Sequence, residues 1–157
     1  MASGTITRLV IGALDRIATT LGRVRVQPKH LATGQRGEDE AYFFLRAQGY
    51  TVIARNWRTP RRRGEIDLIA WDGGTLCFVE VKTRTTRAVA PAEAAVDRNK
   101  QEELRSMARI YLRRFGPETP FRFDVVSVYL VAGEEADVTL FKDAFLWRSM
   151  KSTGRRW

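Results

Sequence analysis

The chain has 157 residues, 44% of them hydrophobic and 29% charged, which suits one compact domain with a real core and leaves little room for two. Its single cysteine, Cys77, excludes an internal disulfide, and its longest N-terminal apolar run, Leu9 to Leu14, falls far short of the roughly 20 residues of a membrane span. The net charge of +9 sits mostly at the ends, because residues 1–30 carry five basic residues against one acid and residues 148–157 carry four with none. Basic ends suit an anionic polymer or surface; solubilising tails are the alternative. A cytoplasmic location without stable membrane insertion is the expectation.

In chain order, Ile6, Leu9, Val10, Ala13, Leu14, Ile17 and Leu21 fall at helical spacing, so residues 5–21 read as a short amphipathic basic helix. Residues 22–32 read as a linker, with Pro28 barring a continuous helix and the lone histidine, His30, solvated. A helix is expected from about Thr33 to Gln48, with Ala41, Phe44, Leu45 and Gln48 on one stripe and Gly49 as its C-terminal cap. Tyr50–Trp57, Gly64–Trp71 and Leu76–Thr83 read as strands, the last two joined by the hairpin signal Asp72-Gly73-Gly74-Thr75. A long helix is expected over Ala92–Phe115, stopped by Gly116-Pro117. Strands over Phe121–Val131 and Asp137–Phe141 and a helical turn near Phe145 complete the chain.

The order α-β-β-β-α-β-β defines an α/β fold with a mixed sheet flanked by helices. The crossover helix makes the third and fourth strands parallel. The expected division is a basic N-terminal extension over 1–30, a core domain over 31–147 and a basic tail over 148–157.

The hairpin carries the chemistry. With Gly73-Gly74 as the two-residue loop, Asp67 falls opposite Glu80 and Glu65 opposite Lys82, and alternation sends all four side chains to one face. Directly opposed residues have Cβ atoms about 4.5–5.5 Å apart. Two carboxylates that close, flanked by Ile66, Leu68, Val79 and Val81, need a shared proton, a basic partner or a cation. Mg²⁺ or Mn²⁺ is the natural occupant if the substrate is a phosphate, and a zinc site lacks cysteine and histidine. A cross-strand ion network, with Lys82 neutralising Glu65 and Glu80 and Asp67 binding backbone, is the competing explanation.

The run Gly64-Glu65-Ile66-Asp67-Leu68-Ile69-Ala70, followed by Phe78-Val79-Glu80-Val81-Lys82-Thr83-Arg84, resembles the YraN-like family of predicted endonucleases. That family is similar to archaeal Holliday-junction resolvases within the PD-(D/E)xK nuclease superfamily. The resemblance extends to Gly37-Glu38, Lys100-Gln101 and Arg122-Phe123-Asp124-Val125-Val126, and covers about residues 31–147. It implies a restriction-endonuclease-like fold and Mg²⁺- or Mn²⁺-dependent hydrolysis of phosphodiester bonds in DNA, with branched DNA as a candidate substrate. Asp67 and Glu80 match the metal-binding carboxylates, and Lys82 matches the lysine that positions water or steadies the phosphate. Glu38 matches the helix glutamate that completes the metal site. It also shares a stripe with Ala41 and Leu45, although a first-turn glutamate favourable to the helix dipole explains it equally.

Lys100 and Gln101 extend the inward helix face toward the site, where they contact substrate or serve as a snorkelling helix end. Glu65 is expected beside Lys82, and Asp124 as a structural contact at the end of the sheet. Arg55, Arg58, Arg61, Arg62 and Arg63 precede the hairpin without an acid among them, and Arg84 and Arg87 follow Lys82. Together they form an expected phosphate-binding collar, which gives affinity without reading sequence. Trp57 would stack on an unpaired base or pack in the core. The expected partner is nucleic acid, DNA in the first place, and cutting two strands of a junction would favour a homodimer. The alternative function is a non-catalytic nucleic-acid-binding or partner-binding module on a nuclease fold.

Overall fold

Thr75 pairs with Asp72 across the Gly73-Gly74 reversal, and this hairpin forms the centre of the sheet. A computed structural model describes residues 29–88 and 96–147. Their elements are α1 (Lys29–Ala47), β1 (Thr51–Thr59), β2 (Arg62–Asp72), β3 (Thr75–Arg84), α2 (Arg98–Leu112), β4 (Phe121–Tyr129) and β5 (Asp137–Phe141). The sheet runs β1-β2-β3-β4-β5, with only the β3–β4 pair parallel, as the crossover through α2 requires. The expected α/β order and mixed sheet are therefore observed. The expected helix over 5–21 and the basic tail over 148–157 lie outside the described residues, as does the side chain of His30. The chain divides into two units, Met1–Ala32 and Thr33–Trp157. Among the described residues, no helix is long and apolar enough to cross a membrane.

The sheet separates two cores. Ile69, Phe78, Phe123 and Val125 pack with Leu104, Met107, Ala108 and Tyr111 of α2. Leu68, Ala70, Cys77, Val79 and Val126 pack with Ala41 and Leu45 of α1. Each fully buried Leu, Ile, Val, Phe or Met side chain among them contributes about 1.5–3 kcal/mol. The near-continuous apolar character of β3 and β4 follows from burial on both faces. Gly37 of α1 is buried against Thr83 of β3, and a Cβ there would collide with the threonine hydroxyl. This close crossing brings the next residue, Glu38, toward the end of the hairpin.

Several boundaries depart from expectation, among them the meeting ends of β1 and β2, which extend to Thr59 and Arg62. Helix α1 begins at Lys29, inside the stretch read as linker, because a proline just ahead of a first turn costs no helical hydrogen bond. Helix α2 begins only at Arg98, where the Asp97 side chain caps the Lys100 N–H at 2.9 Å. It ends at Leu112, and Arg114 and Phe115 close tighter turns on Tyr111 and Leu112. Strand β4 ends at Tyr129, before the turn in which Glu134 N–H donates to Val131 O. Among the described residues near Phe145, no helical turn forms. There the Asp143 N–H donates to Asp124 Oδ1 and the Ala144 N–H to Phe123 O, tying the segment to β4.

Candidate active site

Strands β2 and β3 stay paired as far as Leu68↔Val79, and Asp67 and Glu80 stand one step beyond that rung. Both are buried, at 8% and 4% exposure. Asp67 Oδ2 accepts the Val81 N–H at 2.7 Å, so a carboxylate enters the seam between the strands. Burial, then the neighbouring Glu80, raises the Asp67 carboxyl well above its ordinary range, while the Val81 amide and Lys100 pull it back. The two acids are therefore close enough to oppose each other's ionisation.

Two cations answer Glu80. Lys82 Nζ donates to Oε1 at 2.8 Å, and Lys100 Nζ of α2 lies 3.4 Å from Oε2. Glu80 Oε2 is nevertheless buried without a hydrogen bond. Lys100 also donates to Glu103 Oε1 at 3.0 Å. Burial works against its charge, but Glu80 and Glu103 outweigh it and raise the Lys100 pKa.

Glu38 reaches the edge of this group without joining it as a third ligand. Its Oε2 accepts from Asn56 Nδ2 at 2.7 Å, while its charge still raises the Asp67 carboxyl. Among the described residues, no three Asp, Glu, His or Cys side chains converge as a ready cation cage. Asp67 and Glu80 are the pair that could hold a cation.

Glu65 is not beside Lys82. The alternation of β2 breaks at Asp67, sending Ile66 to the α2 core although Leu68, two residues on, faces α1. Glu65 is carried round with it and accepts from Arg58 Nε at 2.7 Å. Gln101 braces the start of α2, donating to Val96 O at 2.9 Å and accepting from Arg105 at 3.0 Å. Asp124 is fully buried and accepts from Arg122 Nε, a structural contact as expected.

The basic residues divide. Arg58, Arg62 and Arg63 line a cleft of about 480 Å³ with Gly64, Lys100 and Glu103. Neither Asp67 nor Glu80 lines this cleft, but Lys100 belongs to its wall and lies 3.4 Å from Glu80 Oε2. Arg61 is exposed in the β1–β2 turn, and Arg55 is paired with Asp39. Arg87 is held by Glu134 and Asp137, and Arg84 Nε is buried without a hydrogen bond. Trp57 is partly buried and packs edge-on against Tyr111 with centroids 5.1 Å apart, on the border of the α2 core.

Sequence reasoning overlooked two residues. Asn56 bonds Glu38, and its signal was an asparagine inside a strand, where that residue is depleted. Ser127 lies level with Lys82 on β4 and is 1% exposed, with its hydroxyl unpartnered. An isolated serine in an apolar strand carried no such signal.

The mixed sheet with its flanking helices is a restriction-endonuclease-like α/β fold, with an acidic pair and two lysines where the central hairpin opens. The model of the uncharacterised protein family UPF0102 matches residues 37–128, and the chain belongs to that family, the YraN-like group that its motifs resemble. A UPF0102 protein of Koribacter versatilis is 53% identical over 140 residues, covering 89% of this chain and 94% of the relative. A second, from Solibacter usitatus, is 49% identical over 129 residues, covering 82% and 96%.

Proposed function

We propose that this chain is a divalent-metal-dependent endonuclease that hydrolyses phosphodiester bonds in DNA, with branched or structured DNA as its preferred form. One observation carries the reading. Asp67 and Glu80, buried on adjacent strands, present two hard carboxylates, and Glu80 Oε2 has no hydrogen-bond donor of its own. Mg²⁺ or Mn²⁺ fits such a pair, since Mg²⁺ is commonly held by one or two carboxylates and completed by water and substrate phosphate. That also accounts for a site without a third converging acid.

Asp67 and Glu80 would hold the ion, and Glu38, whose carboxylate is held by Asn56, adds negative charge near Asp67. When bound, the cation supplies charge that polarises a phosphate oxygen and lowers the pKa of a water. Lys82 Nζ, on the strand that carries Glu80, is placed to orient the attacking water or to stabilise charge growing on the phosphate. Arg58, Arg62, Arg63 and Lys100 of the cleft, with Arg61 in the adjoining turn, would supply the positive field for the DNA backbone.

A second reading has its own support. Glu80 is already answered by Lys82 and Lys100, and Glu38 by Asn56, a polar network that a non-catalytic binding module could carry without a metal. Two measurements separate the readings. Purified protein is incubated with linear, single-stranded and branched DNA in Mg²⁺ or Mn²⁺, and Mn²⁺ is titrated calorimetrically. The nuclease reading expects cutting that is lost in Lys82→Ala together with Mn²⁺ binding that is lost in Asp67→Asn. Equal cutting by wild type and Lys82→Ala defeats it, and absence of Mn²⁺ binding favours the module.

A further inference from the structure

Among the described residues, only Asn56 and Asp143 are non-glycine residues with positive φ. Asp143 lies in a turn, whereas Asn56, at φ 47°, interrupts strand β1. Asparagine tolerates the left-handed region better than most residues, but strands deplete it, and strain of this kind inside a sheet calls for a function.

The register shows what the strain does. Arg55 pairs with Leu68 and Trp57 with Ile66, which places Asn56 level with Asp67. In a regular strand Arg55 and Trp57 would share a face. Here Arg55 lies over the Tyr42 ring of α1, while Trp57 packs on Tyr111 of α2. Leu68 and Ile66 divide between the same two cores. Both strands therefore turn over together at Asn56 and Asp67. It is at this turn that the Asp67 carboxylate takes the Val81 N–H, and the Asn56 side chain donates to Glu38 at 2.7 Å. Glycine could adopt the backbone angle and glutamine could reach a carboxylate. Asparagine does both.

We propose that Asn56 is a positioning residue for the acidic pair: its left-handed backbone sets Asp67 into the β2–β3 seam, and its amide holds Glu38 beside it. The Glu38 half rests on the metal reading above; the Asp67 half does not. Two experiments test them separately. In the first, Val81 amide hydrogen exchange is followed in wild type, Asn56→Gly and Asn56→Val at matched stability. Glycine keeps the turn and a β-branched residue resists it, so Val81 protection survives in Asn56→Gly and falls at least tenfold in Asn56→Val. Equal protection in all three overturns the backbone role.

In the second, Mn²⁺ is titrated into wild type, Asn56→Gly, Glu38→Gln and the double variant, with thermal melts as a fold control. Loss of an outer hydrogen-bond partner typically weakens metal binding about 10–100-fold. Asn56→Gly is expected to weaken binding about tenfold in the wild-type background and less than twofold in Glu38→Gln, because it acts through that carboxylate. Wild-type affinity in Asn56→Gly, or an equal loss in both backgrounds, overturns the Glu38 role. A wild-type chain that binds no Mn²⁺ counts against the metal reading, and Val81 exchange then decides the role of Asn56 alone.

Discussion

Asp67 Oδ2 accepts the backbone N–H of Val81 at 2.7 Å, while the same carboxylate faces the charge of Glu80. One side chain thus completes a strand pair and opposes its neighbour. Asp67→Asn keeps an acceptor for the amide and removes the opposition. At pH 8 without divalent ions, the variant is expected to be more stable than wild type by about 1–2 kcal/mol, within the range of single stabilising substitutions. Denaturant titration measures this. A less stable variant would mean that the Asp67 charge is well compensated.

The same group fixes a pH dependence. The folded-state pKa of Asp67 is raised to about 7 by burial and by Glu80, against roughly 3.9 for an unfolded aspartate. Between those values the folded chain binds more protons than the unfolded one, so this group lowers stability as pH rises from about 4 through 7. Urea midpoints of metal-free protein at pH 5, 6, 7 and 8 should fall for wild type more steeply than for Asp67→Asn. Parallel slopes would place the titrating group elsewhere.

At the other end of the sheet the sign reverses. Hydrogen bonds from Lys142 and Arg122 lower the Asp72 carboxyl to about 2, so its contribution is present above roughly pH 4 and is lost as pH falls through about 2. Arg122 also neutralises Asp124, which is fully buried. Arg122→Ala strands that charge, and breaking a buried pair in this way costs about 3–5 kcal/mol. A thermal melt reads the loss. Asp124→Asn in the same background should recover part of it, and no recovery would show that Arg122 acts through packing.

The cleft arginines offer a test that does not depend on catalysis. Arg62 and Arg63 line the cleft, and neither makes an ion pair among the described residues. If both contact phosphate, the double alanine variant should flatten the salt dependence of DNA binding by about 1.8 log units per log unit of salt. The control is Arg87→Ala, whose guanidinium is already held by Glu134 and Asp137. Fluorescence anisotropy across a salt series provides the slopes, and equal slopes for the two variants would remove the cleft from the DNA path.

The hairpin was legible because a two-residue glycine loop fixes its register, and that register holds from Asp72↔Thr75 to Leu68↔Val79. The parallel β3–β4 pair followed from a crossover helix between them. Legibility failed where alternation failed. Nothing in the pattern of apolar residues announced that Asn56 and Asp67 would turn both strands over, so Glu65 was expected beside Lys82 and is instead beside Arg58. Partner choice among arginines was equally hidden, because Glu134 and Asp137, which hold Arg87, lie 47 and 50 residues away in the chain.

The bare crossing of Gly37 over Thr83 gives α1 a fulcrum. A methyl group added there must lift the helix off the strand, and Glu38, the neighbouring residue, rides on the lever. Gly37→Ala would therefore uncouple that carboxylate from the sheet while leaving every charge in the molecule in place.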